Sequence, residues 1–414
     1  SPPCRYRPRL SLPWHRNVPQ TLKSPPAMAA ALSLPRIAAG LLALVVCANA
    51  AGAVSEYHSK PIPVEARGGL LEYSVIYTDR ATNSMSTTFQ AVMKELHSVL
   101  TAAYNAERAV ILPGSGSFAM ESVARQLCSG KKALVVRLGY FSFRWTDIFD
   151  QGGFVSESVV LRASPAPGEE GAALPQFAPP PVAEVIAAIK AEKPAVVFAP
   201  HVETSTGMLL PDDYIKAVAD AVHSAGGLFV LDGVASGMLW VDMERLGLDV
   251  YITAPQKGWT SPACAGVVIL SPAGNAAVSA TTSTSMTLNL RKWRDVMDSY
   301  LSGGFAYHTT MPTDCLALFR DAAAETQAYG FGKAQEGFLE LGTRVRAMLG
   351  KLGFKSVAAP GFEAPGVVVV YCDDEAMVRK LVGEGLQLAA GVPLMLDEAV
   401  PAARRFRVGL FGID

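Results

Sequence analysis

An aspartate and a lysine, each following an apolar run, are the residues whose chemistry is easiest to interpret in this chain. Asp232 ends the run LFVLD, and Lys257 follows VYITAPQ. Such runs are typical of buried parallel strands, whose carboxyl ends form ligand sites. A carboxylate and an amine placed there suit pyridoxal phosphate (PLP), because the amine can condense with its aldehyde and the carboxylate can keep its ring nitrogen protonated. A surface lysine and a helix-capping aspartate explain the pair about as well.

A second motif, VILPGSGSFAMESVARQL, has the pattern of a strand, a tight glycine turn and a helix. Small residues at a helix start leave backbone N–H groups accessible, and the helix dipole adds to their attraction for a phosphate dianion. The turn Gly114–Ser117 is a weak signal alone, because similar turns occur in ordinary loops. Its position before the strands that lead to Asp232 and Lys257 strengthens the prediction of a phosphate site.

Several blocks together resemble the class V aminotransferases of PLP fold type I, close to the alanine–glyoxylate and serine–glyoxylate aminotransferases. The blocks keep the family's order from about Tyr73 onward: GSGSFAM, LGYFSFRW, HVETSTGML, LDGVASG, TAPQKGW, YHTTMP and FRVGLFG. The resemblance implies an α/β fold, with a mostly parallel sheet flanked by helices in a large domain and a smaller C-terminal α+β domain. It also implies PLP as cofactor, small amino-acid and 2-oxo-acid substrates, and a homodimer with shared active sites.

The resemblance implies a role for each matching residue. In chain order, the implied cofactor contacts within one subunit are Ser115, Gly116, Ser117, Phe141, Ser205, Asp232, Val234, Gln256 and Lys257. Of these, the turn and Gln256 would hold the phosphate, Phe141 and Val234 the two ring faces, and Ser205 the side of the phenolic oxygen. The family often has His where Ser117 stands.

The remaining implied contacts reach the neighbouring subunit or the substrate. Tyr307 and Thr310 match residues that contact the phosphate of the partner's cofactor, and Arg407 matches the arginine that binds the substrate α-carboxylate. No metal is implied.

Most of these residues also fit ordinary structural positions. Phe141 lies in an aromatic-rich segment that suits a core, Ser205 suits a turn cap, and Tyr307 suits a half-buried surface. His201 and His308 are predicted to be structural, because transamination with PLP needs no second imidazole.

Arg407 could equally be a solvated strand residue, which is what we expect for Arg404 and Arg405. Alternation places Arg407 on the strand face opposite Phe406 and Val408. A planar guanidinium suits bidentate carboxylate binding better than an ammonium does.

The chain departs from the family at the predicted entrance to the site. Where relatives have a Gly-Pro-rich stretch, this chain has YSVIYTDRATNSMS, with Asp79, Arg80 and Asn83. The PLP chemistry is unaffected, but the amino donor is left open. If aspartate is the donor, Arg80 becomes the candidate for its side-chain carboxylate.

Alternating strand and helix patterns must position these residues, and they predict a mostly parallel sheet. A helix is predicted from about Ser86 and a surface loop over Ala163–Pro181. From about Tyr329 a long helix leads to GVVVVYCDD, a helix at Glu375–Glu384, and RFRVGLFGID. The predicted strands of the sheet are Ala109–Leu112, Ala133–Arg137, Ala195–Ala199, Leu228–Leu231, Val250–Thr253 and Gly266–Leu270.

Composition supports a large buried sheet, since 50% of the 414 residues are hydrophobic and 18% are charged. The formal net charge of −1, with no basic stripe, gives no indication of nucleic-acid binding. Cys128, Cys264, Cys315 and Cys372 are scattered. They have neither metal-ligand spacing nor the glycine-rich setting of a desulfurase nucleophile, and we expect no disulfide framework.

The N-terminal region reads as a targeting segment. Residues 28–53 combine one arginine, an apolar run and small residues near CANAAGA, which predicts a signal peptide and no stable membrane span. A buried or membrane-anchoring helix and an organelle address remain alternatives, and the sequence ends without a peroxisomal tripeptide. We therefore assign residues 1–55 to an extension with this peptide, 56–328 to a large PLP-binding domain and 329–414 to a small domain.

Together these features predict a PLP-dependent aminotransferase that moves an amino group from an alanine- or serine-like donor to glyoxylate or pyruvate. A PLP-dependent lyase or desulfurase on the same fold, and a catalytically silent PLP-fold protein, are the alternatives.

Overall fold

Seven strands of the computed structural model, which describes residues 82–412, form the main sheet. Their spatial order is β1-β7-β6-β5-β4-β2-β3, and β7 is antiparallel to the other six strands. The sheet is therefore mostly parallel, as predicted. In chain order its strands are β1 (Arg108–Pro113), β2 (Lys132–Arg137), β3 (Glu157–Arg162), β4 (Val196–Pro200), β5 (Leu228–Asp232), β6 (Val250–Thr253) and β7 (Ala265–Leu270).

Helices alternate with these strands and flank the sheet. The first described helix begins at Thr87, and the Ser86 hydroxyl caps it by accepting the Phe89 N–H over 3.1 Å. In chain order the helices are α1 (Thr87–Tyr104), α2 (Gly116–Leu127), α3 (Tyr140–Gly152), α4 (Val182–Glu192), α5 (Asp212–Ser224), α6 (Met243–Leu246), α7 (Pro272–Ala280), α8 (Leu290–Leu301), α9 (Thr313–Tyr329), α10 (Phe331–Lys351) and α11 (Met377–Gly383).

All six predicted strands are confirmed with shifts of one residue at most, because their inner residues are buried and nearly all are Val, Leu, Ile, Phe or Ala. The prediction missed β3, whose sequence ESVVLR is exposed or half-buried throughout. It lies at the sheet edge beside β2 and needs no continuous apolar run. The predicted loop Ala163–Pro181 contains a two-residue strand pair, Ser164–Pro165 with Phe177–Ala178.

The C-terminal part forms a separate antiparallel sheet, in which β10 lies between β8 and β9. Val369 pairs with Arg407 and Val370 with Phe406, so successive residues face opposite sides. One face, which carries Val369, belongs to the core of the main sheet, and the face with Phe406 packs against α10. The three strands are β8 (Val367–Tyr371), β9 (Ala389–Ala390) and β10 (Arg405–Gly409).

Our expectation that Arg405 is solvated is wrong. Arg405 is 1% exposed, and its guanidinium donates to the carbonyl oxygens of Val400 over 3.2 Å and Val392 over 3.0 Å. Glu398 lies 3.6 Å away and balances its charge. Alternation explains the error: Arg405 shares the inward face of β10 with Arg407, and carbonyl groups of the preceding loop accept hydrogen bonds from its two terminal nitrogens there.

The helices α9 and α10 are separated by Gly330, whose φ of +100° lies in the left-handed region. This break is next to the predicted boundary between residues 56–328 and 329–414. Residues 1–55, which include the predicted signal peptide, lie outside the described residues. Within residues 82–412 no helix is both long and apolar enough to span a membrane, and no cluster of His, Cys, Asp or Glu could hold a metal ion.

Candidate active site

The carboxyl ends of five parallel-running strands meet at one edge of the main sheet, and predicted site residues follow each of them. The turn Ser115–Ser117 follows β1, Phe141 follows β2, and Ser205 follows β4. Asp232 ends β5, and Lys257 comes four residues after the end of β6. This is the crevice in which open α/β sheets bind ligands, and it brings both halves of the predicted chemistry together.

Asp232 is a buried carboxyl group whose residue is 7% exposed. Its Oδ1 accepts the backbone N–H of Val234 over 3.0 Å. Burial is the largest influence and raises the pKa of Asp232 to about 6; the Val234 N–H and Arg144 oppose the rise, and Glu203 adds to it. A cation bound beside this carboxylate would favour its ionised form, which is what a protonated pyridine nitrogen supplies.

Lys257 lies on a turn, two residues before the fully buried Trp259. Its Nζ is 4.7 Å from the centroid of the Phe411 ring. Burial first, and then the charges of Arg407 and Arg144, lower the pKa of Lys257. The amine is thus held more in its neutral, nucleophilic form than an exposed lysine would be.

The predicted phosphate turn brings the start of α2 close to the end of β5. Ser115 is the N-cap residue of α2, and its hydroxyl accepts no hydrogen bond from the first N–H groups of the helix. Those N–H groups can therefore donate to a ligand. A Cβ at Gly116 would lie 2.6 Å from Cγ2 of Val234, so only glycine permits this approach. Gln256 directly precedes Lys257, and its Oε1 is buried without a hydrogen-bond partner. One end of that amide is therefore available to a ligand.

Arg144 is a site residue that sequence reasoning missed. Its Nη1 donates to Ser117 Oγ over 2.8 Å, and its Cζ lies 4.7 Å from the Phe141 ring centroid. The available signal was its position in GYFSFRW, three residues after Phe141 and so on the same face of α3. Phe141 itself is half-buried, and its stacking on the pyridine ring stays a prediction.

Glu203 was also missed, although it stands in the quoted block HVETSTGML. It is fully buried, and its Oε2 accepts the backbone N–H of Ser142 over 2.8 Å and the Ser142 hydroxyl over 2.7 Å. Its Oε1 accepts the backbone N–H groups of Phe141 and Ser205, over 3.1 and 3.0 Å. A carboxylate thus caps the N-terminus of α3, where the helix dipole favours negative charge.

Ser205 completes this cap. Its hydroxyl donates to Glu203 Oε1 over 2.8 Å and accepts the Tyr140 N–H over 2.9 Å. The structure therefore places Ser205 under the helix that carries Phe141. Its contact with the phenolic oxygen of the cofactor stays a prediction.

Arg407 lies on the face of β10 that is turned toward the main sheet, opposite Phe406 and Val408 as predicted. Its Nε donates to the carbonyl oxygen of Ala390 over 2.8 Å. Burial lowers the pKa of Arg407, and the charge of Glu203 opposes this. Within residues 82–412 no carboxylate forms a salt bridge with Arg407, so its guanidinium is available to a substrate acid.

Tyr307 and Thr310 lie together on the surface, between α8 and α9. Tyr307 is 67% exposed, and its hydroxyl is 3.4 Å from that of Thr310.

His201 is buried, its Nδ1 is 2.8 Å from Ser236 Oγ, and burial lowers its pKa to about 4. His308 Nε2 bonds a backbone carbonyl over 2.9 Å. These contacts suit the structural roles predicted for both histidines.

The predicted entrance falls only partly within the described residues. Asn83 is buried, and its Oδ1 accepts the backbone N–H of Met85 over 2.9 Å, which forms the turn that leads into α1. Asp79 and Arg80 lie outside the described residues, so a role for Arg80 toward a second carboxylate stays a prediction.

The residues present fit PLP on four features of this crevice. The buried Asp232 has a free oxygen for a cationic ring nitrogen, the amine of Lys257 lies in the same crevice, the start of α2 is uncapped by a side chain, and the Gln256 amide has an unpaired end. A small turn and a helix N-terminus suit a phosphate, while the half-buried Val234 and Phe141 offer apolar surface for a ring.

Comparison with known proteins agrees with this chemistry. The family model described as Aminotransferase class-V matches residues 72–353. An L-aspartate–glyoxylate aminotransferase of Paracoccus denitrificans (strain Pd 1222) is 26% identical over 308 residues, 73% of each chain. A serine–glyoxylate aminotransferase of Methylorubrum extorquens is 27% identical over 314 residues, again 73% of each chain. Among solved structures, an alanine–glyoxylate aminotransferase from Nostoc sp. has a TM-score of 0.67 at 22% identity, covering 78% of this chain and 82% of that one.

Proposed function

The chain belongs to the class-V aminotransferases, which use pyridoxal phosphate, and we propose that it transfers the amino group of a small amino acid to glyoxylate or pyruvate. The observation that carries the proposal is the meeting of Asp232 and Lys257 at the strand ends beside the uncapped start of α2. The names of the relatives support glyoxylate as acceptor and alanine, serine or aspartate as donor.

Bound PLP supplies an aldehyde that reacts with amines and an aromatic ring that withdraws electrons from the substrate Cα. Ser115 to Ser117 and Gln256 would hold the phosphate. Asp232, as a carboxylate, would keep the proton on the ring nitrogen, because the charge of each group favours the charged form of the other.

Lys257 has two tasks in the proposed mechanism. Its amine would hold the cofactor through the aldehyde, and as a neutral base its Nζ would take up the proton from the substrate Cα. The lowered pKa of Lys257 suits both tasks, since each needs a neutral amine. Arg407 binds the substrate α-carboxylate, which fixes the Cα–H bond in one orientation.

We also propose that the working unit is a homodimer in which Tyr307 and Thr310 complete the phosphate site of the partner. Support comes from their exposure and from large apolar side chains exposed on the same loop and on the segment that this loop contacts. Phe305 is 49% and Met286 66% exposed, and His308, from the same loop as Phe305, bonds the carbonyl oxygen of Met286.

For residues 28–53 we propose a targeting role, through a secretory signal or an organelle address. The test is a fusion of residues 1–55 to a fluorescent protein, followed by microscopy and by N-terminal sequencing of the product. Diffuse fluorescence with an intact N-terminus would contradict the proposal.

A donor–acceptor panel tests the function. Purified protein with PLP is incubated with alanine, serine, aspartate or cysteine and with glyoxylate or pyruvate, and both products are identified. We expect stoichiometric amino-group transfer, and borohydride should fix PLP covalently on Lys257. Lys257→Ala should lose the covalent label and turnover, whereas Lys333→Ala, at an exposed position on α10, should lose neither.

Other outcomes identify the alternatives. Release of ammonia or sulfide without transfer would identify a lyase or desulfurase, and bound PLP without any turnover would identify a silent relative. The structure gives the desulfurase little support, because the described cysteines Cys128, Cys264 and Cys372 are buried and Cys315 is half-buried.

A further inference from the structure

Arg144 is a cation of the candidate site to which the family resemblance assigned no role. It lies on α3 and reaches across to α2, where its Nη1 donates to Ser117 Oγ over 2.8 Å. A guanidinium carries five N–H donors. Within residues 82–412 Ser117 is the hydrogen-bond partner of Arg144, and no carboxylate forms a salt bridge with it. Most of its donors and its full charge are therefore available to a ligand.

The other predicted contacts of the PLP phosphate include no full positive charge. The start of α2 offers only a partial charge, and the Lys257 amine is already engaged at the cofactor aldehyde. The remaining predicted phosphate contacts carry no charge; they are Ser115, Gly116, Ser117 and Gln256, with Tyr307 and Thr310 from the partner. A dianion held by these groups alone would lack a full counter-charge.

We propose that Arg144, aligned by Ser117, supplies this counter-charge and binds the PLP phosphate. The inference rests on the proposed function, because it needs PLP as the ligand. Ser117 belongs to the predicted phosphate turn, and a guanidinium bonded to it stands at the start of α2. The short Ser117 side chain, at a position where the family often has His, leaves room for this approach.

Two neighbours hold the guanidinium in place. The Phe141 ring lies 4.7 Å from Cζ of Arg144, and the Tyr140 ring lies 5.7 Å from it. The Ser117 hydroxyl accepts from Arg144 and still has its own proton to donate, so both groups can donate to one phosphate. The charge of Arg144 contributes to lowering the pKa of Lys257, after burial and Arg407, and opposes the rise in the pKa of Asp232 that burial causes.

Pyridoxal, which lacks the phosphate, provides the test. PLP-free protein is titrated with PLP and with pyridoxal, and the dissociation constants are measured from absorbance and fluorescence. Arg144→Gln should raise the Kd for PLP about tenfold to a hundredfold, because charge-assisted bonds to an anion are lost. The Kd for pyridoxal should change less than about threefold. Arg144→Lys should give an intermediate Kd for PLP, since the charge stays while the fork is lost.

Arg125→Gln is the matched control. Arg125 lines the same cleft of about 390 Å³ as Ser117 and Arg144, but its charge is paired with Glu121 at 2.7 Å. We expect this variant to bind PLP like the wild type. Inorganic phosphate should compete with PLP in the wild type and about tenfold less well in Arg144→Lys, which gives a readout if Arg144→Gln fails to fold.

Two outcomes would overturn the inference. An unchanged Kd for PLP in Arg144→Gln and Arg144→Lys would show that other groups bind the phosphate. Equal losses for PLP and pyridoxal would show that Arg144 supports the ring pocket instead. If the wild type binds PLP no better than pyridoxal and shows no transfer, the proposed function itself fails, and that result is distinct from both.

Discussion

At the scale of single residues, the chemistry of this site depends on groups placed where water is excluded. Asp232 is the clearest case, because burial raises its pKa in the absence of a bound cation. The residue types Asp and Lys could be identified from sequence. The neighbours that tune them could not, since Glu203 and Arg144 act across elements that are distant along the chain.

The burial of Asp232 predicts a stability cost in the protein without PLP. Its pKa of about 6 exceeds the ordinary 3.8, so the folded state holds this proton more tightly than the unfolded chain. The cost is absent below the ordinary value and complete above the raised one. By about 1.4 kcal/mol per pKa unit it reaches about 3 kcal/mol. Asp232→Asn should therefore be more stable than the wild type at pH 8, and the difference should fall to about 0.5 kcal/mol at pH 4, just above the ordinary value.

Urea unfolding of both PLP-free proteins at the two pH values measures this difference. Asp150→Asn, at an exposed position on α3, is the control and should match the wild type throughout. With PLP present, Asp232→Asn should lose most turnover. Equal stability of Asp232→Asn and wild type at pH 8 would contradict the burial cost, and near-normal kcat would contradict the catalytic role.

The buried carboxylate of Glu203, unlike that of Asp232, is expected to stabilise the fold. It accepts several hydrogen bonds, among them those from the backbone N–H groups of Phe141, Ser142 and Ser205. Glu203→Gln would turn an amide NH₂ toward such donors and should lower the free energy of unfolding by about 2–4 kcal/mol. Urea unfolding checks this, with the exposed Glu336→Gln on α10 as control. A loss below about 0.5 kcal/mol would show that the cap is dispensable.

At the scale of elements, continuous apolar runs predicted the central strands almost residue by residue, because burial on both faces leaves a strong pattern. The edge strand β3 was not predicted, because its side chains are partly solvated and leave no continuous apolar run. Arg405 was wrongly predicted to be solvated, because the sequence does not show which carbonyl groups will accept hydrogen bonds from a buried arginine. The order of the phosphate turn, Asp232 and Lys257 along the chain predicted that they meet in one crevice. Their positions within that crevice could be seen only in the structure.

The contact between α2 and β5 predicts a steric effect at Gly116. Gly116→Ala would place its Cβ 2.6 Å from Cγ2 of Val234, which should cost about 1–3 kcal/mol and weaken PLP binding by displacing the turn. Adding Val234→Ala should recover much of the stability. Gly337→Ala, on α10 with no atom within 4 Å of the added Cβ, is the control. Thermal unfolding and PLP titration measure both effects, and a Gly116→Ala variant as stable as Gly337→Ala would refute the contact.

At the scale of the whole molecule, Arg407 lies on the C-terminal sheet, and the groups of this subunit that we expect to bind PLP lie at the edge of the main sheet. The site thus needs both parts of the chain, and by our proposal it also needs a second subunit. The boundary predicted between residues 328 and 329 stays a prediction; it lies beside Gly330, which separates α9 from α10. The sequence could not place β10 against the main core, because that packing depends on which face of β8 is turned inward.

Shared sites predict that two defective subunits can complement each other. Lys257→Ala should be inactive, and the double variant Tyr307→Ala, Thr310→Ala should bind PLP weakly. A mixed dimer has one site with both parts intact, so refolding the two together should restore about a quarter of the wild-type sites. Turnover and light scattering are measured after mixing. Activity that never exceeds the sum of the separate variants, or a fully active monomer, would contradict the shared site.

The pairing of β1 with β7 also determines when, during folding, the cofactor can first bind. β1 is an edge strand whose sheet partner is β7, and Arg108 pairs with Leu270, much later in the chain. Contacts of such long sequence separation form late, because the intervening loop must close first. We therefore expect the Ser115–Ser117 turn to be positioned late in folding. We also expect PLP to bind the folded molecule and not its early intermediates, and so to slow unfolding.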